Sequence, residues 1–301
     1  MIRCLTHQEI DKRWYDALIA RCPNAVWYAR SAVLDVASPG WQLLVDDTAE
    51  AVMPLTRRRR WGMEYLYQPY GLQYLGVFAT RTIDDALCSA FLQAIPASYN
   101  LVDICMGPGT FSISRSYIAP RVNLCMPLPK DAASHRAGYA KGHIRNLRTS
   151  IPTDVKWSQE LVPEEFLILF QRTTARRHGG LRERDASVLG SLLKLAAEEG
   201  TLRWMAFRRQ DQLLAAMAFV HWGGRHILFK TAVSEEAQTF RAGFHLVDGY
   251  LAAHAGAHEL FDLAGSVDPA VARFYKGFGA SEVPYFRVLI NRLPWPLRWL
   301  K

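Results

Sequence analysis

Three ionisable side chains stand where the neighbouring sequence offers them little water. Asp262 is the only acid in the apolar run Leu260-Phe-Asp-Leu263, and Lys230 is the only cation in Ile227-Leu-Phe-Lys-Thr231. Tyr275 belongs to Pro269-Ala-Val-Ala-Arg-Phe-Tyr-Lys-Gly277. A charge in an apolar strand needs a partner or a shifted pKa. A carboxylate, an amine and a phenol held together can take up a proton, stabilise an anionic oxygen and protonate a leaving group. Each also fits an ordinary role: a hydrogen-bonded acid at a sheet rim, a snorkelling edge lysine, an amphipathic core tyrosine. His178, His221, His226 and His245 are further candidate bases. There is neither Ser-His-Asp spacing nor a Gly-x-Ser-x-Gly elbow, so covalent hydrolase chemistry has no support.

The second chemical signal is arginine among aromatic rings. Arg57-Arg-Arg-Arg60 precedes Trp61, Tyr65, Tyr67, Tyr70 and Tyr74, and a later basic stretch carries Lys141, His143, Arg145 and Arg148. Guanidinium groups beside aromatic faces suit a sugar, nucleotide or peptide with anionic groups, although a run of four arginines also fits a solvated face. The residues expected to meet substrate are Arg57, Arg60, Trp61, Tyr67, Arg145 and Arg148. The formal net charge of +8 is compatible with phosphate-bearing partners and with mere solubility. The five cysteines are scattered with no CxxC pair, and no Cys or His cluster has metal-ligand spacing, so a metal is not expected. No apolar run is long enough to span a bilayer, and the N-terminus lacks a signal-peptide core, which points to the cytoplasm.

The elements that must position these groups follow from periodicity and breakers. Residues 259–279 read as strand, turn, helix, turn: Gly265 and Ser266 break the strand, Asp268 caps a helix with Pro269 in its first turn, and Gly277 and Gly279 end it. Val271, Phe274, Tyr275 and Phe278 share one helical face. Upstream, helices are expected over 8–20 and 29–36, strands over 41–45, 50–56, 65–68 and 73–78, and a helix over 80–95 capped by Thr82. Strands at 101–106 and 122–126 precede a proline-punctuated hinge with a basic helix over 131–150. Then come a strand (155–159), two helices (163–177, 184–199), three strands (202–208, 213–222, 226–233), a helix (241–256) and, at the end, a strand (283–290). With half of its 301 residues hydrophobic, the chain can supply two cores. The boundary is expected at 130/131, giving 1–130 and 131–301. The strand-turn-strand of residues 42–55 is echoed by 203–219, which suggests two copies of one α/β fold.

The order of elements, the tyrosine four residues before Gly279 and the paired halves resemble a double GNAT arrangement. Local likenesses at 50–69, Gly142-His-Ile-Arg-Asn-Leu-Arg148 and Phe261-Asp-Leu-Ala-Gly-Ser266 are similar to the FemAB-like or BioF2-like relatives of Fem-type aminoacyltransferases. The resemblance implies two tandem GNAT-like domains of mixed α/β class, the first degenerate. It also implies transfer of an acyl or aminoacyl group, from acyl-CoA or aminoacyl-tRNA, to an amine acceptor of the cell wall or of a polysaccharide, with no tightly bound cofactor. Tyr275, Asp262 and Lys230 then become the catalytic candidates. Gln238, Arg241, Gly243 and Phe244 fall on the donor-pyrophosphate loop, where Arg241 replaces the family's first glycine. The departure leaves a second reading open: an inactive GNAT fold binding RNA or a phosphorylated ligand.

Overall fold

The computed structural model describes residues 1–108, 117–264 and 268–295. The first elements are β1 (Ile2–Leu5), α1 (Lys12–Arg21), α2 (Ser31–Ala37), β2 (Gln42–Asp46), β3 (Ala51–Leu55), β4 (Arg57–Arg60), β5 (Met63–Tyr67), β6 (Phe78–Ala79), α3 (Asp85–Gln93) and β7 (Tyr99–Met106). Next come β8 (Ile118–Pro127), α4 (Lys141–Asn146), β9 (Val155–Ser158), α5 (Pro163–Phe170), α6 (Glu183–Glu198), β10 (Leu202–Arg209), β11 (Gln212–Trp222) and β12 (Arg225–Val233). The last are α7 (Glu235–Thr239), α8 (Ala242–Ala253), β13 (Leu260–Asp262), α9 (Pro269–Lys276) and β14 (Ser281–Asn291). Two compact units result, Met1–Val122 with Val283–Lys301, and Asn123–Glu282.

The first unit contains a sheet ordered β1-β2-β3-β6 and the strands β4-β5-β7-β14. The acid-bearing turn between β2 and β3 is built by Asp46, whose carboxylate accepts from the N–H groups of Glu50 (3.0 Å) and Ala51 (3.1 Å). The arginine run is itself a strand, β4, paired antiparallel with β5. The hairpin turns at Trp61 and Gly62, both with positive φ (51° and 76°). The expected split at 130/131 differs here, because β14 pairs with β7 from Phe286↔Met106 to Asn291↔Leu101. Phe286 and Val288 are thereby buried in the first unit's core with Leu66, Phe91 and Val102. Asp84, rather than the expected Thr82, caps α3 by accepting from the Leu87 N–H at 2.8 Å.

The second unit arranges its strands β8-β13-β12-β11-β10-β9. Long antiparallel pairing of β10, β11 and β12 buries Ala216, Phe219 and Val220, and Phe219 stacks on Tyr250 of α8, where Leu246 and Val247 are also buried. Only α4 and turns occupy the region where a basic helix was expected over 131–150. The reason is local competition. Asp131 accepts from the Ser134 backbone and hydroxyl, and His135 and Arg136 are drawn to Asp248 of α8. Burial pushes the Asp248 carboxyl up, but Arg136 and His135 reverse the shift and hold it below its ordinary value.

Candidate active site

The site is built where β12 loses a neighbour. β12 and β13 pair in parallel only from Arg225↔Leu260 to Ile227↔Asp262, while β12 continues to Val233. A bulge at Phe229, where the register shifts between Ala218↔Lys230 and Phe219↔Leu228, re-aims the strand just before Lys230. Beyond the last β13 pair, the Thr231 carbonyl accepts from Thr174 Oγ1 at 2.7 Å and the Val233 carbonyl from Arg177 at 2.8 Å. Thr174 lies in a π-helical turn, Gln171–Ala175, which continues α5.

Helix α9 brings Tyr275 to this strand. Asp268 caps it by accepting from the Ala270 N–H at 2.8 Å, with Pro269 in the first turn, as the sequence predicts. Gly265 and Ser266, the expected breakers, lie outside the described residues. At the other end of α9, orphan carbonyls are met from α4: the Ala140 N–H donates to Gly277 O, and His143 Nε2 donates to Phe274 O, both at 2.8 Å. The His143 ring packs against Phe278 and Phe244, with centroids 4.6 and 4.9 Å away. Burial lowers its pKa, partly offset by the Phe274 hydrogen bond, so it is a neutral positioning group. In the sequence His143 stands only as part of a basic stretch; its role depends on contacts more than a hundred residues away along the chain.

The Tyr275 hydroxyl lies beside the Thr231 side chain. Burial pushes its pKa up to about 12, with a smaller downward pull from Thr231. No hydrogen bond of normal geometry closes between them, because Thr231 Oγ1 is buried without a partner. Next along β12, Lys230 is driven down by burial to about 8, its ammonium 5.1 Å from the Phe229 ring centroid. Asp262 is placed differently. It is fully buried and accepts from Arg225 Nη1 at 2.8 Å, Asn123 Nδ2 at 3.0 Å and the Ala264 N–H at 2.9 Å. Its oxygens are engaged in holding the end of β13, and breaking such a buried pair is costly.

The donor-loop candidates sit at the start of α8. Gln238 lies on α7, and Arg241 forms the N-cap of α8 in the left-handed conformation, φ 60° and ψ 34°. A glycine would adopt that conformation without strain. Gly243 is next to Phe274, a Cβ there meeting its ring at 3.8 Å, and the Phe244 ring packs on Phe274 at 4.8 Å. Arg145 and Arg148 are exposed, on α4 and just after it.

In the first unit, a cavity of about 600 Å³ is lined by Arg58, Arg60, Trp61, Tyr67, Arg121 and Arg287, among others. Arg60 stacks over Trp61 at 4.1 Å, and Arg287 is held by Asp103 in two hydrogen bonds of 2.7 and 2.8 Å. Arg60, Trp61 and Tyr67 were expected to meet substrate; Arg57 instead forms a two-pronged pair with Glu64, at 2.9 and 3.0 Å. Arg121 and Arg287 escaped the sequence reading because they join the arginine run only through strand pairing.

Known proteins share the fold that carries these residues. Residues 134–276 match the family model described as Acetyltransferase (GNAT) domain. The structure of FemX superposes with a TM-score of 0.65 at 13% identity, covering 97% of this chain and 98% of that one. The chain has a double GNAT fold. A tandem GNAT protein from the clavulanic acid biosynthesis pathway shares the double GNAT fold, with a TM-score of 0.57, 11% identity and coverage of 98% and 99%. The C-terminal domain (DUF2156) of a putative lysylphosphatidylglycerol synthetase from Agrobacterium fabrum gives 0.52, 8%, 96% and 94%. No curated protein matches the double GNAT chain in sequence. Among its described residues, no helix is long and apolar enough to cross a membrane.

Proposed function

We propose that the second unit is an N-acyltransferase, moving an acyl or aminoacyl group from an activated donor, acyl-CoA or aminoacyl-tRNA, to an amine. The observation that carries this reading is Tyr275 beside Thr231 on the part of β12 that β13 leaves unpaired, with Lys230 one position earlier along the strand. The acceptor amine, once deprotonated, attacks the donor carbonyl. Lys230, as an ammonium, donates to the oxyanion of the tetrahedral intermediate. Tyr275, protonated throughout the neutral range, gives its proton to the departing sulfur or ribose oxygen and regains one from the acceptor nitrogen or solvent. The free N–H groups at the start of α8 and the Arg241 guanidinium serve the donor's phosphates. The arginine and aromatic cavity of the first unit supports an acceptor with anionic groups and a flat ring.

A thermal-shift series tests this reading, since a ligand bound only to the native state raises the melting midpoint. Acyl-CoA or aminoacyl-tRNA should raise it, and Arg241→Glu should abolish the rise. If deacylated RNA alone raised it, with a steep salt dependence, the RNA-binding reading left open by Arg241 would take its place.

A further inference from the structure

We propose that His221, His226 and Glu259 bind a divalent transition-metal ion of the zinc type, clipping the β11–β12 hairpin to the start of β13. His221 and His226 are cross-strand partners beside the Gly223-Gly224 turn. Directly opposed residues project to the same face of a sheet, and here the imidazoles stack with centroids 4.0 Å apart and planes 11° from parallel. Their Nε2 atoms converge on one carboxylate oxygen: Glu259 Oε2 lies 2.6 Å from His226 and 3.0 Å from His221. The three ligand atoms all lie within 4.8 Å of one another. One ion can bridge that span with bonds of about 2.0–2.2 Å.

The surroundings resemble a supported metal site more than a chance cluster. A histidine that ligates through Nε2 carries its proton on Nδ1 and usually donates it to a fixed acceptor. His226 Nδ1 is 2.7 Å from the Tyr250 hydroxyl, and Tyr250 is buried and stacked on Phe219 at 3.6 Å. Glu259 is held on both sides by backbone hydrogen bonds: its carbonyl accepts from the Leu128 N–H at 2.8 Å, and the Leu260 N–H donates to Gly224 O at 3.0 Å. His226 is buried, whereas the side chains of His221 and Glu259 are 35% and 27% exposed, giving an ion a way in and leaving room for a water as fourth ligand. Sequence spacing hides the site, because Glu259 joins the hairpin only through the pairing of β12 with β13. The clip sits at the opposite end of β12 from Lys230 and Thr231, so it is independent of the acyltransferase reading.

The test titrates the metal-stripped full chain with Co²⁺ and then Zn²⁺. One Co²⁺ per chain should give the visible absorption of a four-coordinate site, which Zn²⁺ bleaches. Zinc at 100 times its dissociation constant should raise the melting midpoint by roughly 5 °C. His221→Ala and Glu259→Gln, both partly exposed, should each weaken binding by about tenfold or more, and Tyr250→Phe by about tenfold. Exposed His178→Ala should leave it unchanged. Absence of the cobalt spectrum, or full binding retained in both His221→Ala and Glu259→Gln, overturns the proposal.

Discussion

At Gly277 even a methyl group would collide with the ring that fixes the end of helix α9. A Cβ there would lie 1.8 Å from His143 Cε1. Gly277→Ala is therefore expected to destabilise the chain by about 1–3 kcal/mol and to lower turnover as well, since Tyr275 lies two residues earlier. Gly142→Ala, where the added carbon meets nothing within 4 Å, should be neutral or slightly stabilising in a helix; a comparable melting loss in both variants would remove the steric explanation. Lys230 gives a pH prediction. With its pKa lowered to about 8 by burial, it is an ammonium below that pH and a neutral amine above it. The cation proposed to meet the oxyanion is thus lost as pH rises, and turnover should fall on the alkaline side near pH 8. Lys230→Arg, which stays charged, should remove that falling limb while retaining some activity. Turnover that keeps rising beyond pH 9 would instead make the neutral amine the working form.

Among the elements, the turn into α8 departs most from expectation. Arg241 holds φ 60° without the freedom of glycine, at a cost on the order of 1 kcal/mol. Arg241→Gly should raise the melting midpoint while weakening donor binding about tenfold if its guanidinium pairs with a donor phosphate as proposed; unchanged affinity would assign the donor to backbone N–H groups alone. The capped start of α9 and its stop at Gly277 were legible, as Asp268, Pro269 and that glycine are local signals that need no tertiary context. Helix α4 was not, because its boundaries depend on Asp248 capturing His135 and Arg136 from more than a hundred residues away. Lys230 and Tyr275 stood out as polar groups in apolar surroundings, and both lie at the unpaired end of β12. Asp262 stood out for the same reason, yet its guanidinium partner, Arg225, is on a neighbouring strand that sequence alone does not pair with it.

At the scale of the whole molecule, the repeated order of strands and helices carried the double GNAT fold. The return of β14 to the first unit did not show, since a strand's alternation reads the same whichever sheet accepts it. The arginine cavity likewise combines residues from β4, β8 and β14. The proposed acyl transfer is tested most directly by one comparison: release of thiol or deacylated tRNA by the wild-type chain and by Tyr275→Phe, in the presence of donor and an amine acceptor. The wild type should turn over, and the variant, folded with an unchanged melting midpoint, should be slower by about 10²- to 10⁴-fold. Equal rates per folded molecule would contradict the assignment of Tyr275 as the proton donor to the leaving group.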